Sequence, residues 1–111
     1  MAARLTFLLP VVAPVVLAAA SATGCGGAQA TDEDFREIQR HEATIAAEGP
    51  VAWSGDASID LAVRRAAAEA TCNASEAICD IADDSDDRDA AARCDQAERA
   101  CGRARAGIPA Q

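Results

Sequence analysis

The chain has 111 residues and a formal net charge of −8, with 18 acidic residues against 10 basic ones, and every basic residue is Arg. That length confines it to a single domain, and a charge of this sign repels nucleic acid and anionic head groups, so neither is expected as a direct binding partner. Half the residues count as hydrophobic, but most of these are Ala, with one Trp, two Phe and no Tyr, so a stable core is expected to need covalent staples as well as burial.

The chain opens with Arg4, an apolar run from Leu5 to Ala20, then small residues leading to Cys25. This order of regions predicts a signal peptide over 1–24 and export to a compartment where disulfides persist. The run falls short of the roughly 20 residues that span a bilayer, and Pro10 and Pro14 interrupt it, which disfavours a retained transmembrane helix. Ala22-Thr23-Gly24-Cys25 resembles a bacterial lipobox, with Ala22 where Leu is usual. The resemblance implies diacylation of the Cys25 thiol, cleavage immediately before it, and attachment to the membrane through the N-terminal lipid. It also implies, from Gly26 in place of Asp, sorting to the outer membrane in a Gram-negative cell. Two or three acyl chains anchor a protein stably where one does not. The rival is cleavage after Ala28-Gln29-Ala30, an A-x-A site that would release a soluble product beginning at Thr31. The lipobox is preferred because its small residues follow the apolar run directly. Either cut leaves Cys72, Cys79, Cys94 and Cys101 as the pairing thiols.

Residues 25–30 read as a tether. A helix is predicted over 31–48: Thr31 supplies a cap, Asp32, Glu33 and Asp34 favour the positive end of the helix dipole, and Phe35, Ile38, Ile45 and Ala46 recur at helical spacing. Gly49-Pro50 is expected to end it, leaving a connecting loop over 49–57 that holds Trp53. From Ser58 to Ala82 there is no Gly or Pro, and Ala, Arg and Glu dominate, so one long helix is predicted over 58–82. The acidic run Asp83 to Asp87 interrupts it. A third helix over 88–105 starts behind a capping Asp and ends in Arg103 and Arg105, with Gly107 and Pro109 in the tail over 106–111.

The cysteines decide how the last two helices pair. Seven residues are nearly two helical turns, so Cys72 and Cys79 lie on one face about 10.5 Å apart along the axis. A disulfide needs its Cα atoms within about 7 Å, so they cannot bond each other, and Cys94 and Cys101 face the same restriction. In an antiparallel hairpin, residues at one level have position numbers of constant sum. Cys72 with Cys101 and Cys79 with Cys94 give equal sums, so these two bridges fall in register together. The remaining pairing would demand about 10 Å of axial slip. The prediction is therefore Cys72–Cys101 and Cys79–Cys94, with Ala68, Ala82, Ala91, Ala97 and Ala104 on the cysteine face letting the helices approach.

A second stripe on the middle helix, Ile59, Val63, Ala67, Ala70, Ala74, Ile78 and Ile81, is expected to meet Phe35, Ile38 and Ile45 of the first helix. The fold class predicted is all-α: an antiparallel helical hairpin over 58–105 stapled by two disulfides, with an additional N-terminal helix in a small three-helix arrangement. The bland alternative is a loosely attached first helix whose stripe partner is another protein. The array C-x6-C, fourteen residues, C-x6-C is similar in plan to the twin-cysteine coiled-coil-helix-coiled-coil-helix proteins. Those have a longer step within each pair, so their import and metal-handling roles do not transfer. The closer resemblance is to small bacterial lipoproteins, which implies a class and no activity.

Chemistry is sparse. Thiols about 10 Å apart along each helix cannot share one tetrahedral zinc ion, and there is no C-x-x-C pair, so no metal or cofactor is expected. An EF-hand begun at Asp83 would place Arg88 at its glycine position and Cys94 where the bidentate Glu belongs, so the acidic run reads as a solvated turn with capping Asp. His41, the sole histidine, lies among polar neighbours and reads as solvated. Asn73-Ala74-Ser75 matches a glycosylation sequon but falls mid-helix. No nucleophile–base pair is evident, so no catalytic residue is expected. The function expected is a non-catalytic, lipid-anchored structural or protein-interaction module of a bacterial cell envelope, with an envelope protein as partner and the charged flank of the hairpin as contact surface. The alternative is a secreted, soluble, disulfide-rich helical effector or inhibitor.

Overall fold

Reciprocal capping starts the first helix. In the computed structural model, which describes residues 28–110, α1 runs Asp32–Trp53. Thr31 Oγ1 accepts from the Asp34 amide at 3.1 Å, and Asp34 Oδ2 accepts from the Thr31 amide at 2.8 Å, so two otherwise orphaned donors are satisfied. The helix does not stop at 48. It passes through Gly49-Pro50 and adds more than a turn beyond the sequence expectation. Pro50 has no N–H for the ladder, which normally costs a helix interior about 3 kcal/mol. Here the last turn is held by what it packs on: Ala52 is fully buried, the Trp53 ring lies over the Cα of Gly49, and the guanidinium of Arg103 stacks 4.2 Å from that ring. Gly49 is thus a site of close approach for Trp53 and not a terminator.

The connection after Trp53 turns at Gly55, whose φ is +68°, a conformation glycine adopts without penalty. Asp56 Oδ1 accepts from the Ser58 amide at 2.9 Å and from Ser58 Oγ at 2.6 Å. These bonds, the hydroxyl one first, hold the Asp56 carboxyl below its ordinary pKa, with Arg64 adding a smaller pull. The turn occupies Ser58 and delays the second helix: α2 runs Leu61–Asp83 behind Asp60, which accepts from the Ala62 amide at 2.7 Å. Helix α3 runs Arg88–Ala106 behind Asp87, whose Oδ1 accepts from the amides of Asp89 and Ala90 at 2.9 and 3.1 Å.

The three helices alternate in direction. The Asp86 amide donates to the carbonyl of Ala28 at 3.1 Å, which sets the start of α1 beside the α2–α3 turn. At the other end Ala52 clusters with Ala67, Ala68 and Ala104, with Trp53 and Ile108 packed against them. The larger cluster combines Ile38, Ile78, Ala82, Ala90 and Ala97, flanked by Phe35, Ile45 and Ile81. Helix α1 therefore packs on both other helices, as the stripe on α2 led one to expect, and is no loose stalk. Two members of the predicted faces lie elsewhere: Val63, near the start of α2, is 54 % exposed, and Ala91, in the first turn of α3, is exposed. Among the described residues no helix is long and apolar enough to cross a membrane.

Two glycines give opposing expectations. A Cβ at Gly107 would sit 2.5 Å from the Ala52 carbonyl oxygen and 2.8 Å from Trp53 Cα, both backbone atoms, whereas one at Gly102 would meet nothing within 4 Å. Gly107→Ala is expected to cost about 1–3 kcal/mol through overpacking. Gly102→Ala, in the α3 interior, is expected to add up to about 1 kcal/mol through helix propensity. Urea denaturation of both variants checks the pair, and equal shifts in midpoint would contradict the packing at the α1–α3 end.

Candidate functional site: the bridged face of the hairpin

Both predicted disulfides are present. Cys72–Cys101 and Cys79–Cys94 each join α2 to α3 with Cα atoms 4.6 Å apart, near the short limit of disulfide spans. Such an approach is open only to helices with minimal side chains around the rungs, and Ala68, Ala82, Ala97 and Ala104 are all buried there. The two rungs differ in cover at one cysteine: Cys101 is buried at 8 % exposure, while Cys72, Cys79 and Cys94 are all half-buried.

Beside the inner rung stands Glu98, whose Oε1 lies 3.6 Å from Cys79 Sγ and 3.7 Å from Cys94 Sγ. With the sulfurs joined there is no S–H to donate, so this is proximity and not hydrogen bonding. Glu98 has no distinguishing mark in the sequence. Its i,i+4 relation to Cys94 was visible, but its placement against Cys79 depends on the cross-helix pairing.

A second cluster joins α1 to α3. The Arg93 guanidinium donates to Glu42 Oε2 at 3.0 Å through Nη1 and to Asp89 Oδ2 at 3.2 Å through Nε, and stacks 5.5 Å from the Phe35 ring. A shallow cavity of about 230 Å³ lies alongside, lined by Glu42, Ile45, Arg93, Gln96 and Ala97. The Asp89–Arg93 step is legible as an i,i+4 pair; the Glu42 contact spans 51 residues and has no local signal. At the opposite end of the bundle Arg64 Nη2 donates to the Gly107 carbonyl at 2.6 Å, tying the start of α2 to the end of α3.

The remaining sequence candidates are placed as follows. Asp87 caps α3 and Asp84 is the C-cap residue of α2, while Asp83, Asp84 and Asp86 are exposed, which fits a solvated capping turn. His41 Nε2 is 3.9 Å from Glu37 Oε1, a helical neighbour. Asn73 is exposed and lines a groove with Ala68, Glu69, Cys72 and Arg105. Cys25 and the segment 1–24 lie outside the described residues.

The bridges are expected to carry much of the stability of α3, whose buried apolar side chains are Ala90, Ala97, Cys101 and Ala104. Closing a loop of this size contributes about 3 kcal/mol per bridge on an entropic estimate, less than additively for nested loops. Replacing either cysteine pair by Ala should therefore lower the unfolding free energy by about 2–4 kcal/mol, measured by chemical denaturation. Complete reduction that left far-UV CD and melting point unchanged would contradict this.

No protein-family model, curated protein or solved structure matches the chain.

Proposed function

We propose that this protein is a non-catalytic lipoprotein of a bacterial cell envelope, a short rigid helical module held to the membrane through Cys25 and presenting its free end to a protein partner. The observation that carries the proposal is the run of Arg4, apolar segment and Ala22-Thr23-Gly24-Cys25, whose resemblance to a lipobox implies acylation. Two facts about the described residues support it. Ala28 and Ala30 are tied to the body: the carbonyl of the exposed Ala28 takes the Asp86 amide, and Ala30 packs on the larger core cluster. Cleavage after Ala30 would remove both contacts, which favours the cut before Cys25 over the A-x-A alternative. The four thiols are joined in disulfides and the turn carboxylates cap helices or face solvent, which suits a structural role better than a chemical one.

The anchored reading has a direction. Gly26 and Gly27 alone separate Cys25 from Ala28, three Cα steps with a contour of at most about 11 Å, so acyl chains on Cys25 would lie near the α2–α3 turn. Trp53, 22 helical residues along α1, would stand about 30 Å farther out.

Expression in a bacterial host with a labelled fatty acid is expected to give a labelled, membrane-fractionated protein with its N-terminus at residue 25, and Cys25→Ser is expected to abolish labelling. A mature N-terminus at Thr31, or export of unlabelled protein to the supernatant, would favour the secreted effector or inhibitor instead. In vesicles, lipid-borne quenchers are expected to leave Trp53 fluorescence nearly unchanged while quenching a Trp introduced by Ser85→Trp in a Trp53→Phe background.

A further inference from the structure

We propose that the inner rung of the hairpin is a latent metal site: when a dithiol opens the Cys79–Cys94 bridge, the two thiolates and the Glu98 carboxylate hold one Zn²⁺ or an ion of similar thiophilic, tetrahedral preference. The spacing of the cysteines along each helix excludes a four-thiolate site. The fold assembles a different set, one sulfur from α2 with a sulfur and a carboxylate from α3, and their ligand atoms all lie within 4.8 Å of one another.

The distances match the ion. With Zn–S of about 2.3 Å and Zn–O of about 2.0 Å, the S···O edge of a tetrahedral site is about 3.5 Å and the S···S edge about 3.8 Å. Glu98 Oε1 already stands 3.6 and 3.7 Å from the two sulfurs, so the carboxylate occupies its place on the polyhedron before any ion arrives. Only the sulfurs must part. Water completes the fourth position, since Glu98 is exposed and both cysteines are half-buried.

The chemistry balances. The dithiol gives two electrons and two protons, the Cys79–Cys94 S–S bond breaks, two S–H bonds form, and the reductant closes into its own disulfide. Ion binding then releases the two thiol protons, because the thiolate is the ligand. In the oxidised chain neither sulfur has a thiolate to offer. The outer rung keeps the site assembled: thiol attack requires access, and the outer bridge offers one half-buried cysteine, Cys72, beside Cys101, buried at 8 % exposure, where the inner bridge offers two half-buried ones, so the inner bridge opens first. Helix α1, packed on both α2 and α3, holds their register as well. None of this depends on Cys25, so the site and the lipid anchor stand or fall separately.

Graded treatment of the purified, processed protein with a dithiol, followed by alkylation and peptide mapping, is expected to label Cys79 and Cys94 before Cys72 and Cys101. Cobalt(II) added to this half-reduced form is the probe for zinc. One equivalent is expected to give thiolate-to-metal charge-transfer and tetrahedral d–d bands that zinc displaces, and the fully oxidised protein is expected to give neither. Glu98→Gln is expected to weaken cobalt binding by more than the roughly 10–100-fold that loss of an outer-shell group alone costs, with unchanged far-UV CD. Labelling of all four thiols together, a half-reduced protein without tetrahedral bands, or E98Q titrating like the parent would each overturn the proposal. So would persistence of the bands in a Cys79→Ser, Cys94→Ser double variant whose outer bridge is closed.

Discussion

The close approach of α2 and α3 is the constraint from which the remaining structure follows. Two covalent rungs bring backbones to a 4.6 Å Cα separation, and at that distance side chains larger than Ala have no room between the axes. The alanine richness that makes the chain poor in hydrophobic burial is therefore the same property that makes the bridges attainable. Composition and crosslink are one design: small residues forgo apolar area, at about 25 cal/mol per Å², and the disulfides offset that loss by restricting the unfolded chain.

The bulky residues are concentrated on the side of the hairpin that faces α1, against the inner rung's Cys94. Ile38 from α1 and Ile78 from α2 are fully buried, and Phe35, Ile45 and Ile81 close around them. Helix α1 thus supplies the hydrophobic mass that the hairpin lacks, and the hairpin supplies a preformed groove for it. The Arg93 cluster works on the same boundary. Its guanidinium lies between Glu42 of α1 and Asp89 of its own helix and against the Phe35 ring, so charge pairing and stacking act at one place. Because Arg93 and Glu42 remain partly exposed at 28 % and 36 %, solvent screening keeps that pair near the modest values of surface bridges, about 1 kcal/mol or less. Packing, not this pair, holds α1 in place.

What the sequence revealed was whatever repeats with the helical period. The seven-residue step of the cysteines and the symmetry of an antiparallel hairpin leave one in-register pairing, and that pairing is observed. Helix ends were less legible. Gly49-Pro50 is a strong local stop signal, yet Trp53 needs a residue without Cβ beneath its ring, and the packed end of the bundle outweighs the missing Pro50 donor. Val63 belongs to the apolar stripe by spacing but faces solvent, since a stripe gives an angle around the axis and not the extent of the partner. Glu98 shows the other limit: its distance to Cys79 is the product of a crosslink, a register and a rotamer together, and no window of sequence contains all three.

The alternation of helix directions also sorts charge along the molecule. The α2–α3 turn end gathers the N-termini of α1 and α3, and with them Asp32, Glu33, Asp34, Asp87 and Asp89, where acids offset the positive ends of two dipoles. The far end gathers the C-termini of the same helices, with Arg103 and Arg105 in the last turn of α3 and Arg64 bonded to the Gly107 carbonyl. Only α2 runs against the pattern, carrying Asp83 at its C-terminal end. Capping therefore produces an acidic pole and an Arg-bearing pole without any selection for partners. In the proposed anchored state the acidic pole would sit within a short tether of the bilayer, a distance comparable to the Debye length of about 8 Å at physiological ionic strength. Anionic head groups would push that pole away while the lipid held it, and the two together would set the bundle upright, Arg-bearing end outward.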